Sequence, residues 1–122
     1  MKLLEERINA EGRVLDNRVL KVDGFLNHQI DPQLFQEIGK EIARRYKDAG
    51  ITRIVTIEAS GIALALMAAI ELNVPLVFAR KKKSILMVDD VYHAKVYSYT
   101  KEENYDITIY KKFLPAGDKV LI

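Results

Sequence analysis

At 122 residues, with 49% apolar and 30% charged residues and a formal net charge of +2, the chain has room for one ordinary domain. It has no overall electrostatic pull toward nucleic acid or an anionic membrane, so any basic site must be local. Its lack of cysteine excludes disulfides, thiolate catalysis and Cys-based zinc sites, and suits a cytoplasmic setting.

Charge in Met1-Lys2-Leu3-Leu4-Glu5-Glu6 stands where a signal peptide needs an apolar stretch, and the longest apolar run, Ile62 to Ile70, is far too short to cross a bilayer. Along the chain, residues 3 to 11 carry Leu4 and Ile8 four apart, with Gly12 as a stop, and read as a short helix. Residues 14 to 30 mix apolar and polar types without a clear period and read as irregular or short-strand structure. Asp31-Pro32 is an N-cap followed by proline at the first helical position, where a missing N–H costs nothing. Leu34, Ile38 and Ile42 follow at helical spacing, and Gly50 closes the segment.

The β-branched stretch Ile51 to Ile57, bounded by Gly50 and Gly61, predicts a strand. Ile62 to Leu72 is apolar nearly all round and predicts a largely buried helix. Asn73-Val74-Pro75 ends it, and Pro75 to Ala79 reads as a second buried strand, which completes a βαβ unit with a right-handed crossover. Residues 84 to 94 show no decisive pattern. Lys95 to Thr100 and Asp106 to Tyr110 alternate as a hairpin would around Lys101 to Asn104. Pro115-Ala116-Gly117-Asp118 is turn chemistry, and Lys119 to Ile122 begins another strand.

Two segments carry chemistry jointly. Glu58-Ala59-Ser60-Gly61 lies at the predicted strand-to-helix junction, where outward-pointing N–H groups and the helix dipole favour an anion. Taken by itself, a plain turn with Ser60 as N-cap is the better reading. Arg80-Lys81-Lys82-Lys83 follows the carboxyl end of the neighbouring strand, the edge at which open parallel sheets bind ligands. A basic run beside a ready anion site turns the odds toward a polyphosphate ligand.

Ile85-Leu86-Met87-Val88-Asp89-Asp90 has the apolar-acid-acid opening of a phosphoribosyl-diphosphate motif. Tyr92, His93 and Lys95 are too bulky for the amide-lined turn that must follow, so the two acids read as loop residues, with metal coordination the lesser alternative. His28 and His93 read as polar contacts, and the six tyrosines do not form a stacking platform for nucleic acid.

Leu20 to Pro32 (LKVDGFLNHQIDP), Ile54 to Ala63 (IVTIEASGIA), Val77-Phe78-Ala79-Arg80-Lys81 and Val96 to Lys101 (VYSYTK) resemble bacterial xanthine phosphoribosyltransferases, members of the type I purine phosphoribosyltransferase family. The similarity spans essentially the whole chain. Adenine phosphoribosyltransferases are more distant, with arginine where this chain has Ser60.

The resemblance implies an α/β fold with a parallel sheet, flanking helices and an N-terminal hood, incomplete at its C-terminus. It divides the single domain into a helix and base-binding hood over residues 1–31 and the first part of the core over 32–122, with a mobile loop at about 84–101. It further implies transfer of phosphoribosyl from 5-phosphoribosyl 1-diphosphate (PRPP), bound with Mg2+, to N9 of xanthine, with release of diphosphate, in a homodimer. Glu58, Ala59, Ser60 and Gly61 match the family's diphosphate loop, Arg80 and Lys81 its basic pair, and Leu20 and Asn27 its base-contacting positions.

The apolar-Asp-Asp motif that holds the ribose 5-phosphate should begin near Val120-Leu121-Ile122, so it and a later base-binding lysine lie beyond the sequence, and no catalytic residue is assigned. Guanine, hypoxanthine or adenine as substrate is the alternative within the class. Outside it stands a non-catalytic PRPP-binding regulator. The repressor of that kind carries a DNA-binding domain ahead of the fold, for which the residues before Asp31 are too few.

Overall fold

The computed structural model describes residues 1–16, 18–82, 90–98 and 103–122. Helix α1 (Lys2–Glu11) ends at Gly12, whose N–H donates to the Ile8 carbonyl at 2.8 Å. A short antiparallel hairpin follows, β1 (Arg13–Leu15) with β2 (Val19–Lys21), and then a π-helical turn over Asp23–Asn27. The segment is thus both strand and irregular turn. Phe25 in that turn is fully buried and joins Leu34 and Ile38 of α2 (Pro32–Tyr46), with Leu4 and Ile8 of α1 packed against them.

Asp31 caps α2 as its sequence position predicts, accepting from the N–H groups of Gln33 and Leu34 at 3.0 and 3.1 Å. The Arg7 guanidinium donates to the other carboxylate oxygen at 2.8 Å, tying α1 to the start of α2. The Leu34 N–H and then Arg7 hold the Asp31 carboxyl below the usual carboxylate range.

The main sheet has the order β5-β6-β4-β3-β7. Its parallel part is β3 (Arg53–Ile57), β4 (Leu76–Lys82) and β7 (Val120–Leu121), with β3 in the middle. Helix α3 (Gly61–Leu72) connects β3 to β4. The expected parallel sheet is therefore present, but an antiparallel hairpin, β5 (Val91–Ser98) with β6 (Glu103–Tyr110), extends it on one side. β4 serves both parts. Leu76 to Ala79 pair with β3, and Arg80 to Lys82 pair with Thr108 to Asp106 of β6.

The hairpin begins at Val91, earlier than sequence alternation suggests. Tyr92, His93, Ala94 and Lys95 are all exposed, so both faces are wet and the two-residue period is erased.

Helix α3 corrects a second expectation. It is a helix over the expected residues, yet the side chains it buries are those of Ala68 and Ala69. These pack on Ile54, while Gly39 of α2 meets Met67 so closely that an added Cβ would stand 2.6 Å from the Met67 Cβ. Close approach covers one side of α3. Its Ile62, Leu66 and Ile70 row, at helical spacing, instead lines an open groove with Leu76 and Phe78.

Candidate functional site

The chain leaves β3 at Ile57 and enters α3 at Gly61, so Glu58, Ala59 and Ser60 form the turn between them, at the carboxyl end of the central strand. The Glu58–Ala59 peptide is cis. Gly61 is required by close approach: a Cβ there would lie 2.6 Å from the Thr56 hydroxyl oxygen. Ser60 occupies the N-cap position but makes no side-chain capping bond, so its hydroxyl does not do what the plain-turn reading asks of it. Ala59 and Ser60 are exposed, and the helix that follows has the length to present a first turn of outward N–H groups.

Arg80 and Lys81 sit where β4 turns from β3 to β6. The Glu58 N–H donates to the Ala79 carbonyl at 3.1 Å, and the Lys81 N–H donates to the Glu58 carboxylate, so the loop and the basic pair are directly joined. The two basic side chains nevertheless leave on opposite faces of the strand. Arg80 lines a cavity of about 410 Å³ with Phe78, Thr108, Tyr110 and Phe113, whereas the Lys81 ammonium lies 5.3 Å from the centre of the Tyr105 ring.

Leu20 lies on β2 and Asn27 ends the π-helical turn; both are exposed. They share no hydrogen bond with the loop among the described residues. The connection is through packing: Leu64, about one turn into α3, packs against the cluster that holds Phe25. The turn bearing Asn27 is thus anchored on the helix whose first turn is the candidate anion site. Val14 carries no sequence signal that singles it out. It pairs with Leu20 across the hairpin, so the two side chains share one face, and both are exposed.

Asp90 is paired with Lys111 at 2.7 Å, and Asp89 lies outside the described residues, as does most of 84–101 beyond β5. His93 meets Asp106 at 2.7 Å on the hairpin, and His28 is exposed. No helix among the described residues is long and apolar enough to cross a membrane.

No protein-family model matches the chain. Among curated proteins, it is 59% identical to xanthine phosphoribosyltransferases from Levilactobacillus brevis and from Listeria innocua, over all 122 residues in both cases. It spans 64% of the length of each. Among solved structures, adenine phosphoribosyltransferase from Giardia lamblia, complexed with 9-deazaadenine, matches 93% of the chain and 62% of its own length, with a TM-score of 0.70 at 24% identity. The Rhodothermus marinus adenine phosphoribosyltransferase matches the entire chain and 69% of its own length, with a TM-score of 0.70 at 20% identity. A Trypanosoma brucei enzyme, in complex with AMP, pyrophosphate and ribose-5-phosphate, matches 74% of the chain and 38% of its own length, with a TM-score of 0.59 at 28% identity. The fold is that of the type I phosphoribosyltransferases.

Proposed function

We propose that this chain, which resembles xanthine phosphoribosyltransferases from end to end, serves a purine-salvage transferase that joins xanthine to the phosphoribosyl group of PRPP and releases diphosphate. The observation that carries the reading is the joining of Glu58–Gly61 to the end of β4, which brings a helix N-terminus and a basic strand end to one place. Diphosphate is the leaving group. Amide donors of Ala59, Ser60 and Gly61 and the Arg80 guanidinium oppose the charge that builds on it as the bond to the anomeric carbon breaks. Lys81 joins them on leaving the Tyr105 ring. An adenine-type reading is less well supported, since Ser60 stands where those enzymes carry arginine.

The base is received by the hood. Asn27 offers an amide donor and acceptor to the alternating N–H and C=O edges of xanthine, and Leu20 offers an apolar surface to its ring. The segment 84–101 acts as a cover that shields the oxocarbenium-like transition state from water.

The amides of Ala59, Ser60 and Gly61 are donors, which suit an anion. Among the described residues, no group of three carboxylate or histidine side chains is placed to hold a metal ion. Magnesium would arrive with PRPP and offset part of the charge of its diphosphate, and the roles given to these side chains do not pass through it. A homodimer belongs to the same proposal, and the exposed apolar row of Leu66, Ile70 and Phe78 is surface of the kind a second subunit covers.

The test is a diphosphate titration followed by backbone amide shifts. Shifts are expected at Ala59, Ser60, Gly61, Arg80 and Lys81, and shifts confined to other regions would overturn the site. The 122-residue polypeptide assayed by itself is expected to form no xanthosine monophosphate, because Tyr92, His93 and Lys95 after Asp89-Asp90 are too bulky for the amide-lined turn a ribose 5-phosphate needs, and a donor held by its diphosphate end alone would swing at the reacting carbon. Activity in this polypeptide, abolished by Asp89→Ala with Asp90→Ala, would instead make those acids the ribose-binding motif.

A further inference from the structure

A carboxylate in a loop that binds diphosphate is an electrostatic liability, because like charges a few ångströms apart repel unless one of them is engaged elsewhere. Glu58 is engaged. In a parallel ladder, a residue donates to one carbonyl of its neighbour strand and accepts from the N–H two residues further along. Glu58 makes the first of these bonds normally, to the Ala79 carbonyl. The second would bring the Lys81 N–H to the Glu58 carbonyl. The structure shows that N–H donating to the Glu58 side chain instead.

The substitution occurs at the point where two requirements conflict. β3 must stop after Ile57 so that its chain can turn into the loop, while β4 continues through Arg80 to Lys82 and pairs with β6 on its other edge. A ladder that ended without replacement would leave the Lys81 N–H without a partner, at a cost that native structures avoid. A side chain that reaches back from the turn satisfies this group and leaves the Glu58 carbonyl free to point elsewhere as the chain turns. It also fixes the separation between the loop amides and Arg80.

We infer that Glu58 is a positioning residue of the diphosphate loop: its carboxylate replaces the last rung of the β3–β4 ladder and holds the loop in register with Arg80 and Lys81. This rests on the reading of the loop as a diphosphate site. It differs from a ligand-contact role in one respect, since an acceptor oxygen at the right reach suffices to hold the loop and no negative charge is needed for it.

Three substitutions separate these roles in the protein made from its complete reading frame. Glu58→Gln keeps both the reach and an acceptor oxygen, Glu58→Asp keeps the charge but shortens the reach, and Glu58→Ala removes the group. Hydrogen exchange of the Lys81 amide, measured without ligand, is expected to accelerate about tenfold or more in the Ala and Asp forms and less than about threefold in the Gln form. The KM for PRPP is expected to rise about tenfold in the Ala and Asp forms and to stay within about threefold in the Gln form, with the KM for xanthine unchanged in all three.

A Gln form as impaired as the Ala form, with Lys81 protection intact, would show that the charge itself serves the ligand and would overturn the inference. Unchanged exchange at Lys81 in the Ala form would overturn it as well. If the Ala form fails to fold, the Asp and Gln pair carries the same comparison. A protein that forms no xanthosine monophosphate but loses Lys81 protection in the Ala form would refute the proposed function and leave the clamp standing.

Discussion

The body formed by α2, α3 and β3 and the β1–β2 hairpin are both rich in aliphatic residues, yet they treat them oppositely. In the body, Leu34, Phe35, Ile38 and Ile54 are nearly inaccessible, and α2 approaches α3 closely enough that Gly39 has no room for a side chain. In the hairpin, every strand residue is exposed, with Val14 at 66% and Val19 at 57%. Burial of the hairpin's apolar groups does not stabilise this fold, since they are not buried. Their energetic return comes when something covers them, and in the proposed function that is the flat purine ring. Substitutions in the body should therefore register as stability, and substitutions in the hairpin and its turn as affinity for the base.

The largest effect that would test this contrast is expected from Gly39→Ala. Overpacking against Met67 costs about 1–3 kcal/mol, offset by at most about 1 kcal/mol of improved helix propensity. The melting temperature should fall by several degrees, while the KM values of the surviving enzyme should not change. An unchanged melting temperature would mean that α2 and α3 can separate freely and that the body is loosely packed.

Asn27→Ala is the counterpart from the other region. The loss of one satisfied hydrogen bond to the base predicts about a tenfold rise in the KM for xanthine, little change for PRPP and an unaltered melting temperature. Equal losses for both substrates would make Asn27 structural. A smaller effect of the same sign, about threefold to fivefold on xanthine, is expected from Leu20→Ala and also from Val14→Ala, because the two share a face of the hairpin. An effect confined to Leu20 would separate the ring's contact surface from the rest of that face.

The smallest effect concerns acid. The Leu34 N–H and Arg7 lower the Asp31 carboxyl, and Arg53 and Thr52 lower that of Asp118. Both groups release their protons more readily when folded than when unfolded. The stability they contribute is thus present above the unfolded carboxylate range, near pH 4, and is lost as pH falls through the lower folded values. A melting-temperature profile should be flat near neutrality and decline below about pH 4. Asp31→Asn retains a capping oxygen but not the charge, so it should lower the melting temperature at pH 7 and flatten part of the decline.

Sequence made the body's elements legible because each has its own punctuation: Asp31-Pro32 opens α2, Gly61 opens α3, and Asn73, in the left-handed region, closes it. The loop and the basic pair were legible as neighbours for the same reason, through the order strand, helix, strand. Three features were not. The π-helical turn at Asp23–Asn27 has no residue period that distinguishes it from a loop, and its buried Phe25 is one aromatic among polar neighbours. The exposed side of α3 was hidden by composition, since a helix apolar all round does not say which face will lack a neighbour. Glu58 was legible as a loop residue but not as a ladder rung, because that role exists only where one strand stops and its neighbour continues.

The pairing of β7 with β3 has a consequence for the order in which the chain acquires its shape. β3 finds β4 within the stretch from Arg53 to Ala79, but its other neighbour is Val120-Leu121, fastened by Arg53 to Asp118 and by Thr52 to both Asp118 and Lys119. A ribosome adding about 5–20 residues per second leaves that edge of β3 open for several seconds after the strand itself has emerged. During that interval, an unpaired row of backbone donors and acceptors is available to any passing strand. The polar fastening supplied by Thr52, Arg53 and Asp118 lets Val120-Leu121 close the edge as soon as they arrive. Cutting it, by Asp118→Ala, should appear first as aggregation during synthesis and only second as a lower melting temperature.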